Sequence, residues 1–235
     1  MSDKTYIITG SSAGIGKACA EYYLAQSHHV IGISRSNTLE HPKFSFVSCD
    51  LSDSYQLEQI DFREKLDRNS TVILINNAGT IGEIKHFPNL SALHYRELAN
   101  INILAPQVLI TMLFQQIVPS RIETIVNISS GAAKRPIPSW AAYCASKAAI
   151  DLYSETLKIE FMELGLSTKI YSVAPGVVDT QMQVIIRSTS PEDFTGVTNF
   201  RRMKDEGELR SPREVAVLLD ALLQEPEQGE VVCRL

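Results

Sequence analysis

Thr5-Tyr6-Ile7-Ile8-Thr9-Gly10-Ser11-Ser12-Ala13-Gly14-Ile15-Gly16, followed by Lys17-Ala18-Cys19-Ala20-Glu21-Tyr22-Tyr23-Leu24, decides the reading of the fold. β-Branched and aromatic residues crowd Thr5 to Thr9, which reads as a strand. Glycines follow at 10, 14 and 16, and Lys17 to Leu24 has the composition and spacing of a helix. Strand, glycine-rich turn and helix is the order a dinucleotide site needs. Glycine lets the backbone approach a pyrophosphate, and a helix N-terminus offers free N–H groups and a positive dipole end. The spacing Gly-x-x-x-Gly-x-Gly differs from the more general Gly-x-Gly-x-x-Gly. A glycine turn alone also serves merely to close a loop, so the flanking elements and the N-terminal position carry the reading.

Working outward, Val30 to Ser34 reads as a second strand that ends at Arg35-Ser36. An acidic residue at this position would bind a ribose 2′-hydroxyl. A guanidinium pairs instead with a 2′-phosphate, so the expected cofactor is NADP(H). Further strands are expected at Phe44–Ser48, Thr71–Ile75, Thr124–Ile128, Lys169–Val173 and around Val231-Val232. Helical patterns lie between them, at Tyr55 to Leu66, Asn102 to Val118 (stopped by Pro119) and Ala141 to Leu164, and from Pro212, where Ser211 can cap. Continuous apolar strands joined by helices indicate a parallel sheet covered on both faces. The expected fold is α/β: a single Rossmann-like doubly wound parallel sheet of about seven strands, one domain over residues 1–235. Gly10, Arg35, Asp50, Asn77, Ser130 and Pro175-Gly176 all fall at carboxyl ends of these strands, the edge that forms the ligand crevice in such sheets.

One constellation at that edge carries chemistry. Ser130 precedes Tyr143-Cys144-Ala145-Ser146-Lys147, with Tyr and Lys four apart on one helix face. A phenol titrates near ~10 and is a poor proton carrier at neutral pH. An ammonium one turn away is expected to lower that value and make the phenol a usable acid or base, while a serine hydroxyl holds a carbonyl oxygen. Tyr-x-x-x-Lys is also a common surface pair on amphipathic helices; the dinucleotide crevice beside it favours proton transfer coupled to hydride transfer.

Composition fits this frame. The 235 residues are 44% hydrophobic and 21% charged, enough for one large core, and the net charge of −5 disfavours nucleic acid as a partner. No apolar run is expected to reach membrane-spanning length and no basic-then-apolar leader precedes the first strand, so a cytoplasmic protein is expected. Cys19, Cys49, Cys144 and Cys233 lack metal or redox spacing and read as reduced thiols. No His-x-x-x-His pair occurs among the five histidines, so no metal site is expected.

Taken together, the motifs resemble the short-chain dehydrogenase/reductase family over essentially the whole chain. The carrying residues are Thr9-Gly10-x-x-x-Gly14-Ile15-Gly16, Asn76-Asn77-Ala78-Gly79, Asn127-Ile128-Ser129-Ser130, Tyr143-x-x-x-Lys147 and Pro175-Gly176-Val177-Val178-Asp179-Thr180. Within the family the chain is most similar to sepiapterin-reductase-like enzymes and to bacterial benzil reductases that form (S)-benzoin. That likeness rests on Ser130 to Lys134, Trp140-x-x-Tyr143-Cys144, Gly176 to Gln183, Ile186-Arg187-Ser188 and Leu209 to Pro212.

The resemblance implies NADPH-dependent reduction of a carbonyl beside another carbonyl or an aromatic group. It implies a catalytic tetrad of Asn102, Ser130, Tyr143 and Lys147; Ser130, thirteen residues before Tyr143, has the family spacing and Ser129 does not. Asn100 competes with Asn102, and Asn102 could also be a helix-start cap. The implied cofactor contacts are Gly10 and Gly14-Ile15-Gly16 for the pyrophosphate, and Arg35 with Ser12 and Ser36 for the 2′-phosphate. Asp50 and Leu51 are implied for the adenine, Asn77-Ala78-Gly79 for its ribose, Lys147 for the nicotinamide ribose, and Pro175-Gly176, Val178 and Thr180 for the carboxamide.

Substrate choice is expected in Ala132 to Trp140 and in a long segment, 181–208, that reads as a lid. Trp140, Met182, Ile185, Ile186 and Phe194 would give an apolar lining beside Ser130 and Tyr143, although for any one of them ordinary core packing is the simpler reading. Two other classes stay open: an NADPH-binding regulator without turnover, which would have no use for the proton-transfer group, and an epimerase or dehydratase, whose larger C-terminal domain is not expected here. By analogy the helices from Asn102 and Ala141 are expected to form a homodimer.

Overall fold

The computed structural model describes residues 4–67, 69–225 and 229–235. Its sheet has seven strands: β1 (Lys4–Thr9), β2 (His29–Ser34), β3 (Phe44–Ser48), β4 (Thr71–Asn76), β5 (Ile122–Ile128), β6 (Lys169–Ala174) and β7 (Val232–Arg234). Their order is β3-β2-β1-β4-β5-β6-β7, and every neighbouring pair is parallel. The order reverses between β1 and β4, which opens a crevice at the strands' carboxyl ends.

Alternation along the strands builds two cores. Ile7, Ile31, Val72 and Leu74 face one side and meet Leu109, Ile110 and Leu113 of the helix before β5. Tyr6, Ile8, Ile73 and Ile75 face the other and meet Cys19, Ala20 and Tyr23 of α1 (Gly14–Ala25) with Ala216 and Leu219 of the last helix. The doubly wound α/β architecture is as expected from the sequence.

Four elements differ in detail. The second helix is short: α2 covers only Ser54–Glu58, capped by Asp53. Beyond it the Gln116 side chain takes over the backbone, accepting from Phe62 N at 2.8 Å and donating to Ile60 O at 2.9 Å. That lets Ile60 and Phe62 plug into the core without helical bonds.

The helix expected to open at Asn102 begins much earlier. Ser91 caps α3 (Ala92–Ala99), a π-turn spans Asn100–Leu104, and α4 (Ala105–Gln116) continues it, so Asn102 lies mid-helix and is not a helix-start cap. Pro106 has no N–H to donate four residues back, which breaks the ladder at Asn102 and accounts for the π-turn. Contrary to expectation, the segment Ala92–Gln116 is long and apolar enough, by length and composition, to cross a membrane. Here Leu109, Ile110 and Leu113 on it pack in the core.

The expected lid is not an irregular loop. It folds as α6 (Gln181–Ser188) and α7 (Val197–Asp205), two short helices each with a single apolar face. α5 (Ala141–Glu163) and α8 (Pro212–Gln224) match expectation, the latter with a Ser211–Glu214 capping box. The last strand is displaced to Val232–Arg234.

Candidate active site

The glycine turn sits where the sheet order reverses. Gly10 has φ +68° and donates its N–H to Ile33 O at 2.8 Å. A Cβ on Gly16 would lie 2.4 Å from Gly10 O and from Asn77 Nδ2, so only glycine lets the helix approach the turn this closely. α1 starts at Gly14 with Ala13 at its N-cap, and among the described residues no side-chain cap bond closes this end. Thr9 Oγ1 accepts from Asn77 N and Ala78 N, both at 2.9 Å, and Asn77 Nδ2 donates to Thr9 O at 2.9 Å. The Asn77 side chain therefore fastens β4 to the turn, leaving the backbone of 77–79 to face the crevice. Sequence reasoning gave Thr9 no role; its hydroxyl is the joint between the two strands.

Arg35 and Ser36 are exposed beyond β2. The loop is tied to the turn by Ser34 Oγ on Ser36 O at 2.8 Å and by Thr38 Oγ1 on Ser12 O at 3.1 Å. Asp50 lies opposite. The Ser52 backbone N–H and hydroxyl hold its carboxyl below the usual range, and Arg35 adds to the effect. Leu51 is buried beside it.

At the end of β5, Ser130 Oγ accepts from Ala132 N at 3.1 Å, and its hydroxyl acts on the Tyr143 phenol to lower its titration. Tyr143 and Lys147 are 7% and 5% exposed. The Lys147 ammonium donates to Ile128 O at 2.8 Å and stands 5.8 Å from the Tyr143 ring centre. Burial pushes the Tyr143 phenol up to about 12, against the Ser130 bond that pulls it down. Burial also pushes Lys147 down to about 8, against Asp151. Burial dominates both groups, so the phenol lies above its ordinary value and not below it, contrary to the expected effect of the ammonium.

Asn102 is 2% exposed. It donates to Thr80 O (2.8 Å) and Ser146 Oγ (3.1 Å) and accepts from Thr80 N (2.9 Å), locking the loop after β4 to the catalytic helix. Asn100 instead donates to Ser52 O at 2.9 Å, away from Lys147's neighbours. A Cβ on Gly79 would be 3.4 Å from Lys147 Nζ and 3.5 Å from Asn102 Oδ1, so ammonium and amide converge on that glycine.

After β6, Gly176 turns with φ +80°. Arg210 donates to Pro175 O at 3.0 Å, and its backbone pairs with Val177 and Asp179 across a bridge at Val178. In the sequence Arg210 carries only a family likeness; in the fold its guanidinium supports this turn. Thr180 reaches back over the glycine turn, its Cγ2 lying 3.3 Å from where a Gly14 Cβ would be.

An aromatic cluster covers Tyr143. Trp140 stacks on Phe194 (5.2 Å between centres), lies 5.4 Å from Phe200 and meets Tyr143 edge-on at 5.8 Å. Its buried Nε1 has no hydrogen-bond partner among the described residues. Ile186 is buried in this cluster and Met182 packs on it, whereas Ile185 is 45% exposed and does not line it. Val197 and Phe200 belong to the cluster and were missed, because their helix was read as loop. Ser139 Oγ on Asp193 O at 2.6 Å and the ion pair of Lys204 with Asp179 (2.5 Å) hold the lid down.

A doubly wound sheet with an uncapped glycine-led helix at its switch point, and a half-buried Ser130 beside the buried Tyr143 and Lys147, defines a nucleotide-dependent oxidoreductase architecture. The family model for short chain dehydrogenases matches residues 4–191, and the chain belongs to that family. The benzil reductase ((S)-benzoin forming) of Bacillus cereus is 39% identical, covering 96% of this chain and 97% of its own length. Sepiapterin reductase of Rattus norvegicus is 31% identical over 93% of this chain and 90% of its own. Among solved structures, 4-hydroxyisoleucine dehydrogenase complexed with NADH superposes with a TM-score of 0.82 at 25% identity, covering 99% of this chain and 96% of that one.

The residues present fit a nicotinamide dinucleotide. The uncapped N–H groups of α1 and the cradle that a Gly16 Cβ would fill suit a pyrophosphate, and Lys147 Nζ at Gly79 suits a ribose.

Proposed function

We propose that this protein is an NADPH-dependent carbonyl reductase for ketones flanked by a second carbonyl or an aromatic ring. The observation that carries this reading is a neutral, buried phenol, Tyr143, whose titration the Ser130 hydroxyl lowers against burial and which is edged by the aromatic cluster of Trp140, Phe194 and Phe200. The similarity to benzil reductase supports the same substrate class.

NADPH, when bound, supplies the hydride. Gly10, Gly14, Ile15 and Gly16 would hold its pyrophosphate, Arg35 with Ser12 and Ser36 its 2′-phosphate, and Asp50 and Leu51 its adenine. The Asn77–Gly79 backbone and Lys147 would hold the riboses, and Pro175, Gly176, Val178 and Thr180 the carboxamide. Ser130 Oγ and Tyr143 Oη hydrogen-bond the substrate oxygen, and Tyr143 donates its proton to that oxygen as it becomes an alkoxide. Lys147 stabilises the resulting phenolate by its charge, and Asn102 keeps the loop after β4 in register with the catalytic helix. Because Tyr143 is 7% exposed, substrate reaches it when α6 and α7 swing away from Trp140 and Ser139. Exposed Leu152, Ile159 and Met162 on α5 support homodimer formation through that helix, in a cytoplasmic protein.

The test is consumption of NADPH and NADH with α-diketones such as benzil, sepiapterin-like pterins and simple ketones. Turnover with diketones and NADPH is expected. Tyr143→Phe should bind NADPH normally and lose about 10²–10⁴-fold in turnover. NADPH binding without consumption of any carbonyl would instead favour a regulator.

A further inference from the structure

Asp151 lies one helical turn after Lys147 on α5 and is 4% exposed. A carboxylate that deep persists only with partners. Its Oδ1 accepts from Ser129 Oγ at 2.6 Å and from Ser172 Oγ at 2.7 Å, and Lys134 Nζ stands 3.4 Å from Oδ2. Ser129 is the residue between Ile128, whose carbonyl holds the Lys147 ammonium, and Ser130. Two opposite charges from one helix face thus grip consecutive residues at the end of β5, immediately before Ser130, whose hydroxyl acts on the Tyr143 phenol. Among the described residues no ion pair reaches Lys147 directly, so its buried positive charge has Asp151 as the nearby opposing charge.

We propose that Asp151 is a positioning residue of the site: it is the buried counter-charge of the Lys147 ammonium and, through Ser129, the anchor of the strand end that carries Ser130. The proposal rests on the role given above to Tyr143 and Lys147. The ionisable groups facing the carboxylate are Lys147 on its own helix, Lys134 on the turn after β5 and the Cys233 thiol on β7. Lys134 is exposed, so solvent screens it. Cys233 is pushed up, chiefly by burial, and stays neutral.

Asp151→Asn preserves shape and removes charge. In the cofactor-free protein with ¹³C-labelled lysine, the Lys147 Cε signal (assigned by its loss in Lys147→Arg) reports the ammonium directly. Its titration midpoint is expected to fall by about one pH unit in Asp151→Asn. Ser172→Ala, which removes one donor but keeps the charge and the Ser129 contact, should move it by much less. In the loaded enzyme the alkaline limb of kcat/KM should follow, making Asp151→Asn about eightfold slower at pH 8.5 and within about twofold at pH 6. An unmoved Lys147 midpoint, or a loss of rate equal at every pH, would overturn the proposal and leave Asp151 a packing residue. If the wild-type protein reduces no carbonyl, the functional reading fails while the Lys147 titration still decides this one.

Discussion

Lys147→Met isolates the energetic cost of placing an ammonium in this site. Burial pushes the Lys147 value from 10.5 down to about 8 in the folded chain, which corresponds to about 3 kcal/mol between the two protonation states. The unfolded chain binds the proton more tightly, so between these two values it carries more protons than the folded one, and stability rises with pH. Below pH 8 the folded protein bears the full penalty; by pH 10 most of it is relieved. Methionine bears none at any pH, and the lost bond to Ile128 O adds a nearly constant offset. Urea unfolding of both proteins without cofactor, at pH 7, 8, 9 and 10, measures the difference. The gap should shift in favour of the wild type by about 2–3 kcal/mol across that range. Tyr143, pushed to about 12, runs the opposite way but only above pH 10, so it does not obscure the window. A gap constant to within about 0.5 kcal/mol would refute the argument, since it would mean that the ammonium titrates alike in both states.

Three further outcomes are expected. Gly16→Ala forces a methyl against Gly10 O, a backbone atom that cannot step aside, and should cost at least about 1–3 kcal/mol and abolish NADPH binding, whereas Gly131→Ala, which meets nothing within 4 Å, should change stability by less than about 0.5 kcal/mol; equal melting of the two variants contradicts this. Arg35→Asp should lower the ratio of NADPH to NADH affinity, read by cofactor fluorescence, by about 10²-fold, and an unchanged ratio removes Arg35 from the 2′-phosphate site. Trp140→Phe keeps the ring stack but deletes the unpartnered buried N–H, so KM for a diketone should rise by about tenfold with little change for a monoketone; parallel changes for both substrates would show that the indole acts only by packing.

How much was legible depended on how local the physics was. β1 to β6 were readable because period-two burial and β-branched runs leave a direct mark, as in Tyr6/Ile8 against Ile7. The motif residues converge on one crevice because parallel order puts the strand ends together. The lid helices were missed because each offers only about two turns of pattern, too few for periodicity to separate helix from loop. The truncation of α2 was not readable either: it depends on Gln116, 54 residues from the N–H that it satisfies. Asn102 to Pro106 resembles the family's helix opening, while the helix starts after Ser91 and the proline only widens one turn of a helix already formed.

The direction of the perturbation at Tyr143 matters for what the site can do. The residue spacing suggested a phenol softened by its neighbour; the fold instead withdraws both groups from water, raising the acid and lowering the base. A phenol near 12 keeps its proton at neutral pH and can release it only to something that has become strongly basic, such as an alkoxide forming on a reduced carbonyl. The apolar cover of Trp140, Phe194 and Phe200 shapes the space beside the phenol, and burial holds that phenol neutral over a wider pH range than an exposed tyrosine, which is itself neutral at pH 7. Opening that cover by truncating Phe200 to Ala should let water in and bring the Tyr143 titration, followed by tyrosinate absorbance, down toward its ordinary value; a midpoint that stays near 12 would mean that Ser130, Lys147 and the strand ends, not the lid, govern the phenol.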